Sequence, residues 1–347
     1  MTHLDFTDLP DLASRELGGS VVAANDELYA ERENLILPTP PTHDPADFGP
    51  RGKRYDGWET RRRRVRGNDW AIVRLGAAGI VHGVIVDTAH FRGNYPPEVS
   101  VESTSVEGYP SVEELLGCSW EPIVLRSPAK GDAVNAYPVA DSRRWTHVRL
   151  SIYPDGGVAR LRVHGEVVPD PRFLTGTIDL AALENGGALV ACSDAFYSAT
   201  SNLIRPGPAR RMADGWETAR RRDDGNDYAT FRLVGAGQVT QVEVDTSYFV
   251  GNAPGCVRLS VVDPPPYSGA GWELLPRTRV QPDTRHRFLV SDPRPATYVR
   301  LDVYPDGGLA RLRLRGELTE GARDELRRRW WEALPEHHRR VIADQAS

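Results

Sequence analysis

The 347-residue chain is poor in cysteine and methionine and has no long apolar run. Its three cysteines, Cys118, Cys192 and Cys256, are odd in number and lack Cys-x-x-Cys spacing, which argues against a disulfide framework and against structural zinc. No run of 18 apolar residues occurs, so nothing reads as a membrane-spanning helix. Met1 to Pro10 carries neither a basic segment nor an apolar core. No secretory leader is therefore expected, and the expected address is the cytoplasm. Positive charge is not in excess either. Lys and Arg number 43 against 48 Asp and Glu, a net charge of −5, which argues against nucleic acid or an acidic membrane as the main partner.

What the chain does have is itself, twice. Asp56-Gly57-Trp58-Glu59-Thr60 returns as Asp214-Gly215-Trp216-Glu217-Thr218, a shift of 158 residues. Gly67-Asn68-Asp69, Val86-Asp87-Thr88 and Gly93-Asn94 return at the same shift. Tyr153-Pro154-Asp155-Gly156-Gly157 returns as Tyr304-Pro305-Asp306-Gly307-Gly308, shifted by 151 residues. Upstream, Asp26, Tyr29 and Asn34-Leu35-Ile36 match Asp194, Tyr197 and Asn202-Leu203-Ile204 at a shift of 168. Three shifts mean one duplicated domain with loop-length changes, including ten extra residues ahead of Asp56 in the first copy. A repeat of this length is domain-sized, so each copy should hold its own core.

The patterning is that of β-strands. Trp70 to Leu75 alternates, Gly76-Ala77-Ala78-Gly79 reads as a turn, and Ile80 to Asp87 follows as a second strand. Val148, Leu150 and Ile152 alternate with polar neighbours, as do Leu161 and Val163 beyond the Pro-Asp-Gly-Gly segment, which reads as a hairpin. Val299, Leu301 and Val303 repeat the pattern, and these apolar residues should face inward. The fold class is all-β: two tandem jelly-roll-like sandwiches with a short C-terminal helix. The boundaries read as an N-terminal arm (1–16), a first repeat (17–168), a linker (169–183), a second repeat (184–318) and a helical tail (319–347). The tail places Leu326, Trp330 and Leu334 on one stripe, with Pro335 as a break. Trp330 and Trp331 are expected to lose exposed area against a domain or a partner chain.

The loop after Val86 is the leading candidate for chemistry. Asp87, His90 and Arg92 lie within six residues and supply a possible base, acid and carboxylate clamp. In the second copy Asp87 and Asn94 persist as Asp245 and Asn252, whereas His90 and Arg92 become Tyr248 and Val250. Such asymmetry is expected where one copy does the work. His82, His147 and His164 are likewise confined to the first copy, but with neither His-x-His nor His-Glu-x-x-His spacing they show no clear metal-ligand motif. Trp58 reads as an aromatic anchor, and Glu59 as an acid or base or a partner of the arginines that follow it. Arg61 to Arg64 reads either as a solvated segment or as an anion site.

The ordered blocks DGWETRRRR, GNDWAIVRLG, VDTAHFRGN and the twice-written YPDGG followed by an apolar residue and Ala-Arg closely resemble the allantoicase family, over about residues 17–318. The resemblance implies two galactose-binding-like jelly rolls in a homo-oligomeric hydrolase that takes allantoate to ureidoglycolate and urea. It also carries an association with divalent metals; the sequence offers no clear ligand motif, so the expectation is no cofactor, with a divalent metal such as Zn²⁺ or Mn²⁺ on the first-copy histidines as the alternative. On that reading His90 and Glu59 share the proton transfers and Asp87 orients His90. Arg92, or Arg62 and Arg64, hold the substrate carboxylate, and Trp58 and Asn94 line the pocket. A duplicated carbohydrate-binding module without catalysis is the alternative, and a pure assembly scaffold is the third reading.

Overall fold

The computed structural model describes residues 5–50, 52–266 and 270–346. The chain forms two units: one runs to Val168 and takes in the C-terminal residues from Trp331, and the other spans Pro169–Trp330. The strands of the first are β1 (Ser20–Ala24), β2 (Phe48–Gly49), β3 (Gly52–Lys53), β4 (Trp58–Glu59), β5 (Asp69–Asp87), β6 (Glu98–Thr104), β7 (Glu121–Pro128), β8 (Val134–Pro138), β9 (Arg144–Tyr153), β10 (Gly157–Val158) and β11 (Arg160–Val167). A short helix, α1 (Val112–Gly117), is closed at its start by a Ser111/Glu114 capping box. All main pairings are antiparallel, in the order β1-β5-β9-β6-β7, with β11 and β8 on the far half of β5.

β5 organises this unit. Residues 69–74 pair with β1 and β9, and residues 79–87 pair with β11 and β8, so one 19-residue strand serves both layers. Gly76 to Gly79 is therefore a bend within a strand and not the turn expected between two. Close approach explains the glycines: a Cβ on Gly76 would lie 2.6 Å from the Leu17 backbone, and one on Gly79 would lie 2.1 Å from the Glu166 carbonyl. Val148, Leu150 and Ile152 of β9 are fully buried, as the alternation requires.

The Pro-Asp-Gly-Gly segment is also not a hairpin. β9 pairs with β5 and β6, whereas β11 pairs with the other half of β5, so the segment carries the chain from one layer to the other. Residues expected as a free arm are tied in. Leu12 is fully buried and its N–H donates to the Val163 carbonyl at 2.7 Å, while the buried Asp11 carboxylate accepts from the Val163 N–H at 2.9 Å. Met1 to Leu4 of that arm lie outside the described residues.

The second unit repeats the plan with β12 (Ile178–Asp179), β13 (Ala188–Cys192), β14 (Trp216–Glu217), β15 (Asp227–Asp245), β16 (Cys256–Val262), β17 (Ala270–Arg279), β18 (Arg285–Leu289), β19 (Pro295–Tyr304), β20 (Gly308–Leu309) and β21 (Arg311–Leu318). β15 is again a 19-residue strand shared between β13 and β19 at one end and β21 and β18 at the other. Val299, Leu301 and Val303 are fully buried. Asp179, in the segment read as a linker, accepts from the Leu314 N–H at 2.9 Å, as Asp11 does from Val163 in the first unit. Two helices follow, α2 (Glu320–Ala333) and α3 (Glu336–Ala346), separated at Pro335. Trp330 is buried with the Arg172 guanidinium over its ring, whereas Trp331 stays 41% exposed.

One core histidine gives the first unit a pH-dependent stability. His147 on β9 is buried, and burial, reinforced by the Arg74 guanidinium, pushes its pKa from 6.5 down to about 4. The unfolded chain thus takes up this proton at higher pH than the folded one. His147 leaves stability intact above the unfolded value and removes about 3 kcal/mol as pH falls from 6.5 towards 4. Melting temperatures measured at neutral pH and near pH 4.5 should differ less for His147→Phe than for wild type. An unchanged difference would place the acid sensitivity elsewhere.

Candidate active site

The frame of the site is built around the crossover. β10 pairs with β4, placing Gly157 opposite Glu59 and Val158 opposite Trp58. The Thr60 N–H donates to the Gly156 carbonyl at 3.1 Å, and the Gly157 N–H to the Asn94 carbonyl at 2.7 Å. The Asn94 side-chain amide then donates to Glu59 Oε1 at 2.6 Å. Burial raises the Glu59 pKa, opposed by the Asn94 hydrogen bond, so Glu59 keeps its proton to higher pH than an ordinary glutamate. The second unit holds the same pair, with Asn252 donating to Glu217 Oε1 at 2.6 Å.

The rim differs between copies. His90 sits at φ +70°, its N–H donating to Asp132 Oδ1 at 2.8 Å. Tyr248 repeats this, with φ +70° and Asp283 as acceptor. The left-handed backbone is thus a property of the frame, and the side chain is the variable. The His90 ring stacks on His43 at 5.2 Å, His43 on Tyr55 at 5.9 Å, and Tyr55 against Phe91 at 4.9 Å. Lys53 Nζ reaches His43 Nε2 at 3.4 Å and lies over the Tyr55 ring. Arg92 is exposed and pairs with Asp132 at 2.9 Å.

Other candidates serve different ends. The Asp87 carboxylate accepts from the Ala89 N–H at 2.8 Å, as Asp245 does from Ser247, so it shapes the loop. The residue that reaches His90 is Asp132, through the backbone. Trp58 is wholly buried, its indole N–H donating to the Asp26 carbonyl at 2.7 Å, and Trp216 repeats this on Asp194. Trp58 is therefore core beneath the site and not pocket lining. Within the arginine run, Arg61 pairs with Asp26, and Arg63 ties Asp69 to Asp155. Arg62 and Arg64 are exposed. His82 pairs with Glu166, and His164 contacts the Leu9 carbonyl, so neither joins His90. Among the described residues no group of three or more His, Cys, Asp or Glu side chains could hold a metal ion.

A cleft of about 560 Å³ opens in the first unit, lined among others by Glu27, Glu31, Asp47, Lys53, Tyr55 and Asp56. Ala30, also in its lining, bridges Glu59 through the backbone. His43, Lys53 and Tyr55 belong to the stretch between Ile36 and Asp56 that is longer in the first copy. Glu27 and Glu31 become Ala195 and Ala199 in the second copy. Sequence reasoning missed these five residues although the signal was present. The upstream shift of 168 residues exposes both Glu-to-Ala differences.

A family model described as the allantoicase repeat matches the chain twice, over residues 10–168 and 178–319. A probable allantoicase of Nocardia farcinica is 55% identical over 319 residues, covering 90% of this chain and 95% of the relative. The allantoicase of Dictyostelium discoideum is 38% identical over 327 residues, covering 90% of this chain and 88% of its own length. The crystal structure of the Saccharomyces cerevisiae allantoicase matches with a TM-score of 0.77 at 33% identity, covering 90% of this chain and 96% of that one.

The left-handed positions make a direct test of the frame. Asn at either position 90 or 248 should leave stability nearly unchanged, because Asn tolerates this backbone region. Val at either position should cost about 1–2 kcal/mol. Urea unfolding midpoints of the four variants check this. A Val variant as stable as its Asn counterpart would remove the strain argument.

Proposed function

The chain belongs to the allantoicase family, and from that premise we infer that it hydrolyses allantoate to ureidoglycolate and urea. The observation that carries this reading is the family match over both repeats, with 55% identity to a relative across 90% of the chain.

Allantoate bears one carboxylate and two ureido groups on a single carbon. Release of urea breaks the bond from that carbon to one nitrogen, and the departing group needs a proton. The remaining ureido nitrogen donates its lone pair, leaving an imine-like centre. Water adds there and gives up a proton, so hydroxyl replaces urea and the protons balance. We propose that Glu59 supplies the proton to the leaving urea and that His90 accepts the proton from water. The raised Glu59 pKa supports the first role, because burial favours the protonated carboxyl that a general acid needs. The confinement of His90 to the first copy supports the second. Asn94 holds the Glu59 carboxyl in place, and Arg92, carried by Asp132, stands at the rim where a carboxylate would dock.

The protein acts in the cytoplasm as a homo-oligomer. Three free cysteines suit a reducing compartment, and no helix among the described residues is long and apolar enough to cross a membrane. The exposed Trp331 on α2 is a ready contact for a second chain.

Urea release from allantoate by the purified protein tests the activity, and its absence would overturn it. Glu59→Gln should lower kcat about 10²- to 10³-fold, while Glu217→Gln changes it less than about threefold. The fall in wild-type kcat as pH rises through the Glu59 pKa should vanish in Glu59→Gln. Equal loss in both Gln variants would mean that the pair is framework only.

A further inference from the structure

The cleft of the first unit is lined by several residues that the second copy lacks, Glu27, Glu31, Lys53 and Tyr55 among them, and Lys53 links it to His43 and, through the His43 ring, to His90. The first copy alone carries Glu27, Glu31, His43, Lys53, Tyr55, His90 and Arg92. They are of two kinds. Glu27 and Glu31, with Asp47 and Asp56, give the lining carboxylate acceptors, each with more lone pairs than its protein partners use. Lys53 gives the same lining a cationic donor, with His43 next to it and the His90 ring stacked on His43. The described contacts of the Lys53 ammonium are an imidazole nitrogen and a ring face. His43 is held below the usual imidazole range by desolvation first and then by repulsion from Lys53, His90 and Arg92. No carboxylate is among the described contacts of the Lys53 ammonium, which leaves its charge available to an anion in the cleft. Arg160 anchors the base of the segment: it is buried, pairs with Asp56 at 2.8 Å and donates to the Thr39 carbonyl at 2.9 Å.

We propose that the lengthened segment between Ile36 and Asp56 completes the substrate pocket, with Lys53 and His43 binding the carboxylate and Glu27 and Glu31 binding ureido N–H groups. The assignment rests on the allantoate reading above and specifies how that substrate is oriented. A carboxylate carries four acceptor sites and ureido groups are rich in donors, so a cleft that holds both an ammonium donor and carboxylate acceptors matches both ends of the substrate. The second copy lacks both halves: Ala195 and Ala199 replace the acceptors, Tyr248 and Val250 replace the cationic rim, and its connection to Asp214 is shorter.

The test uses the full chain and two fragment inhibitors: glycolate for the carboxylate side and N-methylurea for the ureido side. Lys53→Met and His43→Gln should each raise the inhibition constant of glycolate about tenfold and leave that of N-methylurea unchanged. Glu31→Gln should do the reverse. All three should raise KM for allantoate while kcat stays within about threefold, since positioning groups bind ground and transition states alike. Melting temperatures near wild type would confirm that these exposed or rim positions leave the fold intact. Variants with wild-type KM and wild-type inhibition by both fragments would overturn the assignment while leaving the hydrolysis standing. If wild type released no urea, the activity reading would fall. The imidazole proton resonances titrated with glycolate in wild type and Lys53→Met would then still decide whether this rim binds carboxylate. Equal response in both proteins would sink that too.

Discussion

The crossover that carries Tyr153-Pro154-Asp155-Gly156-Gly157 from one layer to the other holds the working end of the fold together. Pro154 to Gly156 belong to neither a helix nor a ladder, so the backbone there cannot satisfy itself and each buried polar group must find a partner nearby. Thr60 meets Gly156, Asp69 meets Pro154, Asn94 meets Gly157, and the Arg63 N–H donates to Asp155. The 60–69 stretch and the loop at Asn94 are thus clamped to one pentapeptide. Side-chain packing adds a second lock: a Cβ on Gly157 would fall 2.1 Å from the Phe91 ring. The same clamp recurs around Gly307, through Thr218, Asp227, Asn252 and Arg221.

The clamp places Glu59 and Asn94 side by side, and it does so equally well for Glu217 and Asn252. The carboxylate–amide pair is therefore inherited from the frame. What differs is the surroundings. In the first unit the longer connection before Asp56 brings His43, Lys53 and Tyr55 over the rim, next to a loop bearing His90 and Arg92. Electrostatics at this end is set by exposed and half-exposed charges, which cost little to the fold individually and leave the frame free to diverge. In the second unit Tyr248 and Val250, both exposed, stand where the first has His90 and Arg92, and the shorter connection to Asp214 carries Arg210 and Arg211 paired with Asp214. One architecture supports two differently charged rims.

Periodicity made the buried faces legible. Val148, Leu150 and Ile152, and their counterparts in the second copy, had to face inward because strand alternation leaves no other arrangement with a buried face. Glycine-rich stretches were ambiguous for a physical reason. Gly76 to Gly79 can reverse a chain or let two backbones approach closely, and only the nearness of Leu17 and Glu166 shows that here it does the latter. Asp155-Gly156-Gly157 carries the strongest local hairpin signal available, yet the strands it joins pair with opposite halves of β5. Pairing partners are chosen by the whole sandwich.

The candidate site divides in the same way. The duplicated blocks, the one-copy residues His90 and Arg92, and the family likeness were all legible in the amino-acid order, because each is a comparison of the chain with itself or with its relatives. The partners of those residues were not. Asp132 beneath His90 and Arg92, and Asn94 on Glu59, arise between residues 35 to 42 positions apart, and Lys53 meets His43 across ten residues of an irregular connection. Trp58 illustrates the limit: an aromatic in a motif reads as pocket or as core alike, and only its full burial against the Asp26 carbonyl decides. Sequence by itself determined the duplication, the inward-facing strands and the family. Tertiary structure decided which side chains share a cleft, since contacts set by long-range strand pairing leave no trace in local spacing.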